Sequence, residues 1–191
     1  FSVTINKFED SIYIVSFADI SETILENMQL EEKTLKDKLT NAYNREFFEN
    51  NYQKLIETFK SEDMYFGLAM IDIDNFKNIN DSYGHNIGDE ILINLVSIIN
   101  KFSRNDDILI RWGGEEFIII LKVSSEDRLN IILENIRKTI EKSKIDGLPT
   151  ITCSFGGTIY ENNEQINDTI KRADEALYIA KANGKNKVIL K

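Results

Sequence analysis

The spacing of apolar residues divides this chain into elements. Residues 11–17 (Ser-Ile-Tyr-Ile-Val-Ser-Phe) form a β-rich run and read as a strand. A helical stretch opens after it at Asp19-Ile20-Ser21. Leu25, Met28, Leu35 and Leu39 fall there on the a/d positions of a heptad, interrupted by Glu32. About two heptads fall short of the three or four that define a coiled coil, so the stretch reads equally as an amphipathic linker helix. From residue 37 onward the pattern is continuous, with no linker-like composition and no repeat. It predicts a helix over 45–60, a buried strand over 64–73 and a helical turn near 76–80. The next helix carries Ile91, Leu92, Leu95, Val96, Ile99 and Phe102 on one face. Two strands, 107–112 and 117–123, meet at Gly113-Gly114. A helix over 126–144, a strand over 150–160, a helix over 165–182 and a short strand over 187–190 close the chain. The helices and strands do not alternate, and a hairpin stands in the middle. That order predicts an α+β fold, with a mostly antiparallel five-stranded sheet flanked by helices.

Composition narrows the chemistry. The 191 residues contain 23 Lys+Arg and 32 Asp+Glu, a net charge of −9, with one His and one Cys. One Cys excludes an internal disulfide, and Cys153 with His85 cannot complete a four-ligand zinc site. The acidic balance disfavours a nucleic-acid polymer as partner, because that affinity comes from clustered Lys and Arg. It does not disfavour a small anion held through a divalent cation. No apolar run approaches the length of a membrane span. The chain opens at Phe1 without a signal peptide, and we expect a cytoplasmic piece of a longer sensor protein, with any membrane attachment elsewhere.

Two acidic features stand out. Asp72-Ile73-Asp74 ends the apolar run of 65–71, with no base beside it until Lys77. Acids at the end of a buried strand need a counter-charge or a shifted pKa. The second feature is Arg111-Trp112-Gly113-Gly114-Glu115-Glu116-Phe117, where two glycines mark a tight hairpin. Alone, it reads as a surface hairpin with solvated acids. If the strand end lies against the hairpin tip, Asp72 and Glu115 converge. Two carboxylates and a nearby carbonyl suit Mg²⁺ or Mn²⁺, whose shell is completed by substrate phosphates. That points to phosphoryl or nucleotidyl transfer. No G-x-x-x-x-G-K-[ST] loop is present. Lys181 and Lys185 are candidate phosphate cations, or serve the helix dipole at its C-terminus.

Together these motifs resemble the GGDEF-domain diguanylate cyclases. The hairpin matches in its Gly-Gly-Glu-Glu-Phe form. Residues 72–90 resemble the family's substrate segment almost throughout. Residues 37–45 resemble its opening motif, with Asn41 and Ala42 in place of the usual Gly and Leu. Lys171-Arg172-Ala173-Asp174-Glu175-Ala176-Leu177-Tyr178 and Gly184-Lys185-Asn186 resemble its closing segment. The resemblance implies a fold similar to the polymerase palm and nucleotidyl cyclases, and the condensation of two GTP into cyclic di-GMP plus two pyrophosphates. It implies a homodimer with one GTP per protomer, since one protomer cannot close the product ring.

Position by position, the resemblance makes Asp72 and Glu115 metal ligands through carboxylate and Ile73 through its backbone carbonyl, with Glu116 assisting. Asn80 and Asp89 bind the guanine edge. Phe76, Lys77 and Asn78 wrap the phosphates with backbone N–H groups. Lys181 and Lys185 contact the β/γ-phosphates, where Lys185 stands in place of a frequent Arg and loses its bidentate geometry. Arg104 and Asp107 match the family's R-x-x-D product-inhibition site for cyclic di-GMP; by themselves they read as a solvated turn. The N-terminal strand resembles the tail of a PAS sensor. The implied division is 1–20 as sensor remnant, 21–36 as signalling helix and 37–191 as GGDEF domain. Two other readings compete: a weak or inactive module that binds GTP or cyclic di-GMP, and a structural domain without nucleotide.

Overall fold

A computed structural model describes residues 2–9, 12–19, 21, 35–104, 106–145, 147–162 and 164–191. It divides into two units, Phe1–Lys36 and Asp37–Lys191. In the first, β1 (Ser2–Glu9) pairs antiparallel with β2 (Ile12–Ala18). The sequence reading found only the second of these strands, because Lys7 and Glu9 dilute the first one's alternation. Most of the heptad stretch, including Leu25 and Met28, lies outside the described residues.

The second unit contains β3 (Tyr43–Asn44), α1 (Arg45–Ser61), β4 (Tyr65–Ile73), α2 (Phe76–Tyr83), α3 (His85–Asn100), β5 (Ile108–Gly113), β6 (Glu116–Val123), α4 (Glu126–Lys142), β7 (Cys153–Ile159), α5 (Ile166–Ala182) and β8 (Val188–Leu190). The sheet order is β3-β5-β6-β4-β7-β8. The central pairs β5-β6, β6-β4 and β4-β7 are antiparallel, and both edge pairs are parallel. The expected α+β class stands, but the sheet has six strands rather than five. The extra strand, Tyr43-Asn44, has two residues and no hydrophobic run to mark it.

Apolar alternation decides which side chains reach the site. All of β4 after Tyr65 is buried, as in a strand covered on both faces. Its odd positions Ala69, Ile71 and Ile73 join a core with α3 and α4. Its even positions Phe66, Leu68 and Met70 join a second core with α1 and α5. In β6, Phe117, Ile119 and Leu121 belong to the first core, Ile118 and Ile120 to the second. By the same period of two, Asp72 and Glu116 fall on the α1/α5 side. Cys153 is a buried strand residue, and burial pushes its thiol far above the usual range.

Helix α5 lies directly on β7. A Cβ on Gly156 would stand 2.1 Å from both the Ala173 carbonyl oxygen and the Leu177 backbone nitrogen. Small residues on the facing helix, Ala173, Ala176 and Ala180, are fully buried. The start of α5 is held by Glu164. Its carboxylate accepts from the Arg172 guanidinium, the Thr169 hydroxyl (2.7 Å) and the Glu161 N–H (2.7 Å). Arg172 also donates to the Ile159 carbonyl at 2.8 Å. The Arg172 bonds, ahead of the others, hold the Glu164 carboxyl down to about 2. A depressed folded pKa gives stability that is complete above the unfolded value near 4.5 and disappears as pH falls toward 2. Glu164→Gln should therefore lower the melting temperature at pH 7. The deficit should shrink steadily between pH 4.5 and pH 2 in a melting series.

Candidate active site

The site forms where β4 ends beside the β5–β6 hairpin. Asp72 is 6% exposed and opposite Glu116 in the β4–β6 ladder. Lys181, from the last turn of α5, places Nζ 2.7 Å from Asp72 Oδ2. Burial raises the Asp72 carboxyl in spite of Lys181, with the Glu115 and Asp74 charges adding to the rise. Glu116 is raised by burial and then by Asp72. Asp72 and Glu116 thus lie in an excess of negative charge that the Lys181 ammonium offsets only in part, an arrangement that a further cation would stabilise.

The hairpin turns at Gly114-Glu115, with Gly113 opposite Glu116 and Gly114 at φ +45. Arg111 clamps the turn from behind. Its Nε and Nη2 donate to the Gly114 carbonyl at 3.0 and 2.8 Å, and its Nη1 to Asp37 Oδ1 at 2.9 Å. Asp37 Oδ1 also accepts from the Thr40 N–H and hydroxyl. Arg111 therefore works as a structural brace linking the opening motif to the turn.

Asp72, Ile73, Phe76, Lys77, Glu115, Lys181 and Lys185 line one depression of about 180 Å³, together with Asp74 and Asn75. The expected convergence of Asp72 and Glu115 is therefore met in the fold. At its wall, α2 starts from Asn75 (φ +59) without a side-chain cap. Uncapped first-turn N–H groups attract anions. Lys185 reaches the same wall by donating to Asn75 Oδ1. Asn78 and Glu116 do not line the depression.

Asp74 has a different task from the one its neighbourhood suggested. Its carboxylate accepts from Thr152 Oγ1 (2.7 Å), Ser154 Oγ (2.6 Å) and the Asn186 N–H (3.0 Å). It ties β4 to β7 and to the turn after α5, and needs no metal. The sequence reading also left out the direct Lys181–Asp72 pair. Strand parity was the available signal: even positions of β4 face α5, so Asp72 must meet that helix.

The remaining sites lie apart. Asn80 Oδ1 is buried without a hydrogen-bond partner, and a Cβ on Gly88 would come within 2.0 Å of it. The absence of a side chain at Gly88 thus leaves room for the Asn80 side chain. Asp89 is exposed on the first turns of α3. Asp107 accepts from the Arg104 N–H at 2.8 Å and, at 3.4 Å, from the Lys122 N–H. It closes the turn into β5, and burial raises its carboxyl. Arg104 is exposed.

The donor set suits a hard divalent cation. Asp72, Glu115 and the backbone of Ile73 share the depression, which leaves coordination positions for ligand phosphates. Among the described residues there is no group of three or more His, Cys, Asp or Glu able to hold a metal without such help.

Comparison with known proteins identifies a family for this chain. Residues 34–187 match the family "Diguanylate cyclase, GGDEF domain". The chain belongs to that family. It is 36% identical over 185 residues to diguanylate cyclase DgcM of Escherichia coli, covering 97% of this chain and 45% of that protein. It is 37% identical over 184 residues to diguanylate cyclase A of Treponema denticola, covering 93% of this chain and 50% of the relative. The chain thus spans about half the length of these relatives. Among solved structures, the coiled coil and GGDEF domain of DgcB from Caulobacter crescentus, in complex with c-di-GMP, is similar at TM-score 0.82. Identity is 28%, with 90% of this chain and 93% of that one covered. The active GGEEF domain of a diguanylate cyclase from Vibrio cholerae is similar at TM-score 0.71 and 31% identity, covering 77% and 96%.

Proposed function

We propose that residues 37–191 form a diguanylate cyclase domain that condenses two GTP into cyclic di-GMP and two pyrophosphates. The observation that carries this reading is the meeting of Asp72, Glu115, Lys181 and Lys185 in one depression beside the uncapped start of α2. The 3′-hydroxyl of each GTP attacks the α-phosphorus of the other, breaking the α–β bridge and releasing pyrophosphate. Two such steps close the ring.

This chain's residues divide the work. Asn80 and Asp89 take the guanine edge, with the orphaned Asn80 oxygen supplying an acceptor. The N–H groups of Phe76, Lys77 and Asn78 and the ammonium groups of Lys181 and Lys185 hold the triphosphate. Asp72, Glu115 and the Ile73 carbonyl hold the cation, with Glu116 beside them. A Mg²⁺ or Mn²⁺ ion held by these residues would supply Lewis-acid chemistry, lowering the pKa of the attacking hydroxyl and offsetting charge on the leaving pyrophosphate. Proximity of two nucleotides held face to face in a homodimer supplies much of the remaining rate. Gly113 fits this picture. It has neither positive φ nor a neighbour within 4 Å of a built Cβ, so the fold of one chain does not require it.

Arg104 and Asp107 form a product-inhibition site in this reading. Arg104→Ala should raise the cyclic di-GMP concentration needed for half-inhibition about tenfold; an unchanged inhibition curve would make Asp107 a turn residue only. Residues 1–20 are read as a sensor remnant and 21–36 as the linker between it and the cyclase domain. Among the described residues, no helix is long and apolar enough to cross a membrane, and a cytoplasmic location is part of the proposal. The test is incubation of the purified protein with GTP and Mg²⁺, followed by separation of nucleotides. Cyclic di-GMP is expected. Tight GTP binding without product would favour the binding-module reading instead.

A further inference from the structure

The turn that presents Lys185 is one that two of its residues disfavour. Gly184, Lys185 and Asn186 have φ of +100, +60 and +48 in succession. Left-handed backbone suits glycine and is unfavourable for a residue with a Cβ, less so for Asn. Something outside the turn must hold it.

Asn186 is the anchor. Its N–H donates to Asp74 at 3.0 Å. Its side-chain oxygen accepts from Arg137 Nη1 at 2.7 Å, and its side-chain nitrogen donates to Glu141 Oε1 at 2.7 Å. Arg137 is itself fixed: it donates to Glu141 Oε2 at 3.1 Å and twice to Glu134 Oε2 at 3.1 and 3.2 Å. Its side chain is only 11% exposed. Arg137 and Glu141 belong to α4, which packs on the sheet face opposite to α5. None of Arg137, Glu141 and Asn186 lines the depression.

We propose that Arg137, Glu141 and Asn186 are positioning residues that hold Lys185 at the phosphate end of the site. The inference rests on reading the depression as a nucleoside triphosphate site. Without the anchor, the turn relaxes toward negative φ and the Lys185 ammonium leaves Asn75. At the guanine end, neither Asn80 nor Asp89 makes a hydrogen bond or ion pair with Arg137, Glu141 or Asn186. The loss therefore falls on the β/γ-phosphates alone, which a general loosening of the domain would not achieve.

The experiment titrates wild type, Asn186→Gly, Arg137→Met, Glu141→Ala and Glu141→Gln with two probes in Mg²⁺ by calorimetry. One probe is GMP, the other the α,β-methylene analogue of GTP, which cannot be cleaved. Asn186→Gly keeps positive φ accessible and removes only the side-chain bonds, so it carries the test if Arg137→Met fails to fold. The triphosphate-over-monophosphate preference should fall about tenfold in Asn186→Gly, Arg137→Met and Glu141→Ala. GMP affinity should stay constant, and Glu141→Gln, which keeps an acceptor, should retain the preference. An unchanged preference in Asn186→Gly, or equal losses for both probes, would overturn the inference. A wild type that binds both probes equally would instead overturn the nucleotide reading beneath it.

Discussion

Glu115→Ala should abolish cyclic di-GMP formation, lowering turnover at least a hundredfold, while the melting temperature stays within a degree or two of wild type. The two halves of this expectation have separate grounds. Glu115 stands at the hairpin tip and lines the depression with Asp72. Glu115 is one of the two carboxylates read as direct ligands of the cation, and losses even in supporting groups around metals reach about 10–100-fold. The turn itself does not depend on the Glu115 side chain. Its shape is set by Gly114 and by the Arg111 clamp on the Gly114 carbonyl. Removing Glu115 also takes a negative charge away from Asp72, whose carboxyl its presence raises. The expected variant is therefore folded, at least as stable near the site, and inactive. Turnover within a factor of ten of wild type would remove Glu115 from the chemistry. A large fall in melting temperature would mean that the hairpin needs its side chain.

Gly156→Ala should cost about 3–5 kcal/mol of stability, a large value for the addition of one methyl group. The neighbours at 2.1 Å are backbone atoms of α5, which cannot rotate away as a side-chain tip would. The helix must lift from β7, opening the core around Ala173 and Leu177. Lys181 rides on the same helix, so its contact with Asp72 is lost along with packing. Urea denaturation of the variant beside Gly113→Ala makes the comparison sharp. Gly113 has no close neighbour and ordinary φ, so its substitution should change stability by about 0.5 kcal/mol or less. Equal stabilities of the two variants would show that α5 can shift on β7 without penalty.

The sequence was informative wherever a long apolar run or a turn residue carried the signal. The helices on 45–60 and 126–144, the buried strand ending at Asp72 and the Gly-Gly hairpin correspond closely to α1, α4, β4 and the β5–β6 turn. The shared depression of Asp72 and Glu115 was legible because both acids sit at marked ends of marked strands. What stayed hidden depends on groups brought from far along the chain. Asp74 lies next to Asp72 in sequence, yet its partners are Thr152, Ser154 and Asn186. Lys181 pairs with Asp72 because α5 crosses the even face of β4, which requires both the strand parity and the helix placement. The two-residue strand β3 has no periodicity to read. Arg137 and Glu141 carry no signal in the apolar periodicity of α4, and only the turn after α5 gives them a task.

The central claim is that two copies of this chain each contribute one GTP to a single product. The direct measurement follows cyclic di-GMP and pyrophosphate together while protein concentration is varied with GTP and Mg²⁺ in excess. The account predicts two pyrophosphates released per cyclic di-GMP, with a rate per protomer that rises with protein concentration until the dimer saturates. A GTP-bound protein that yields no cyclic di-GMP at any concentration would contradict it, as would a rate per protomer independent of concentration in a chain shown to be monomeric.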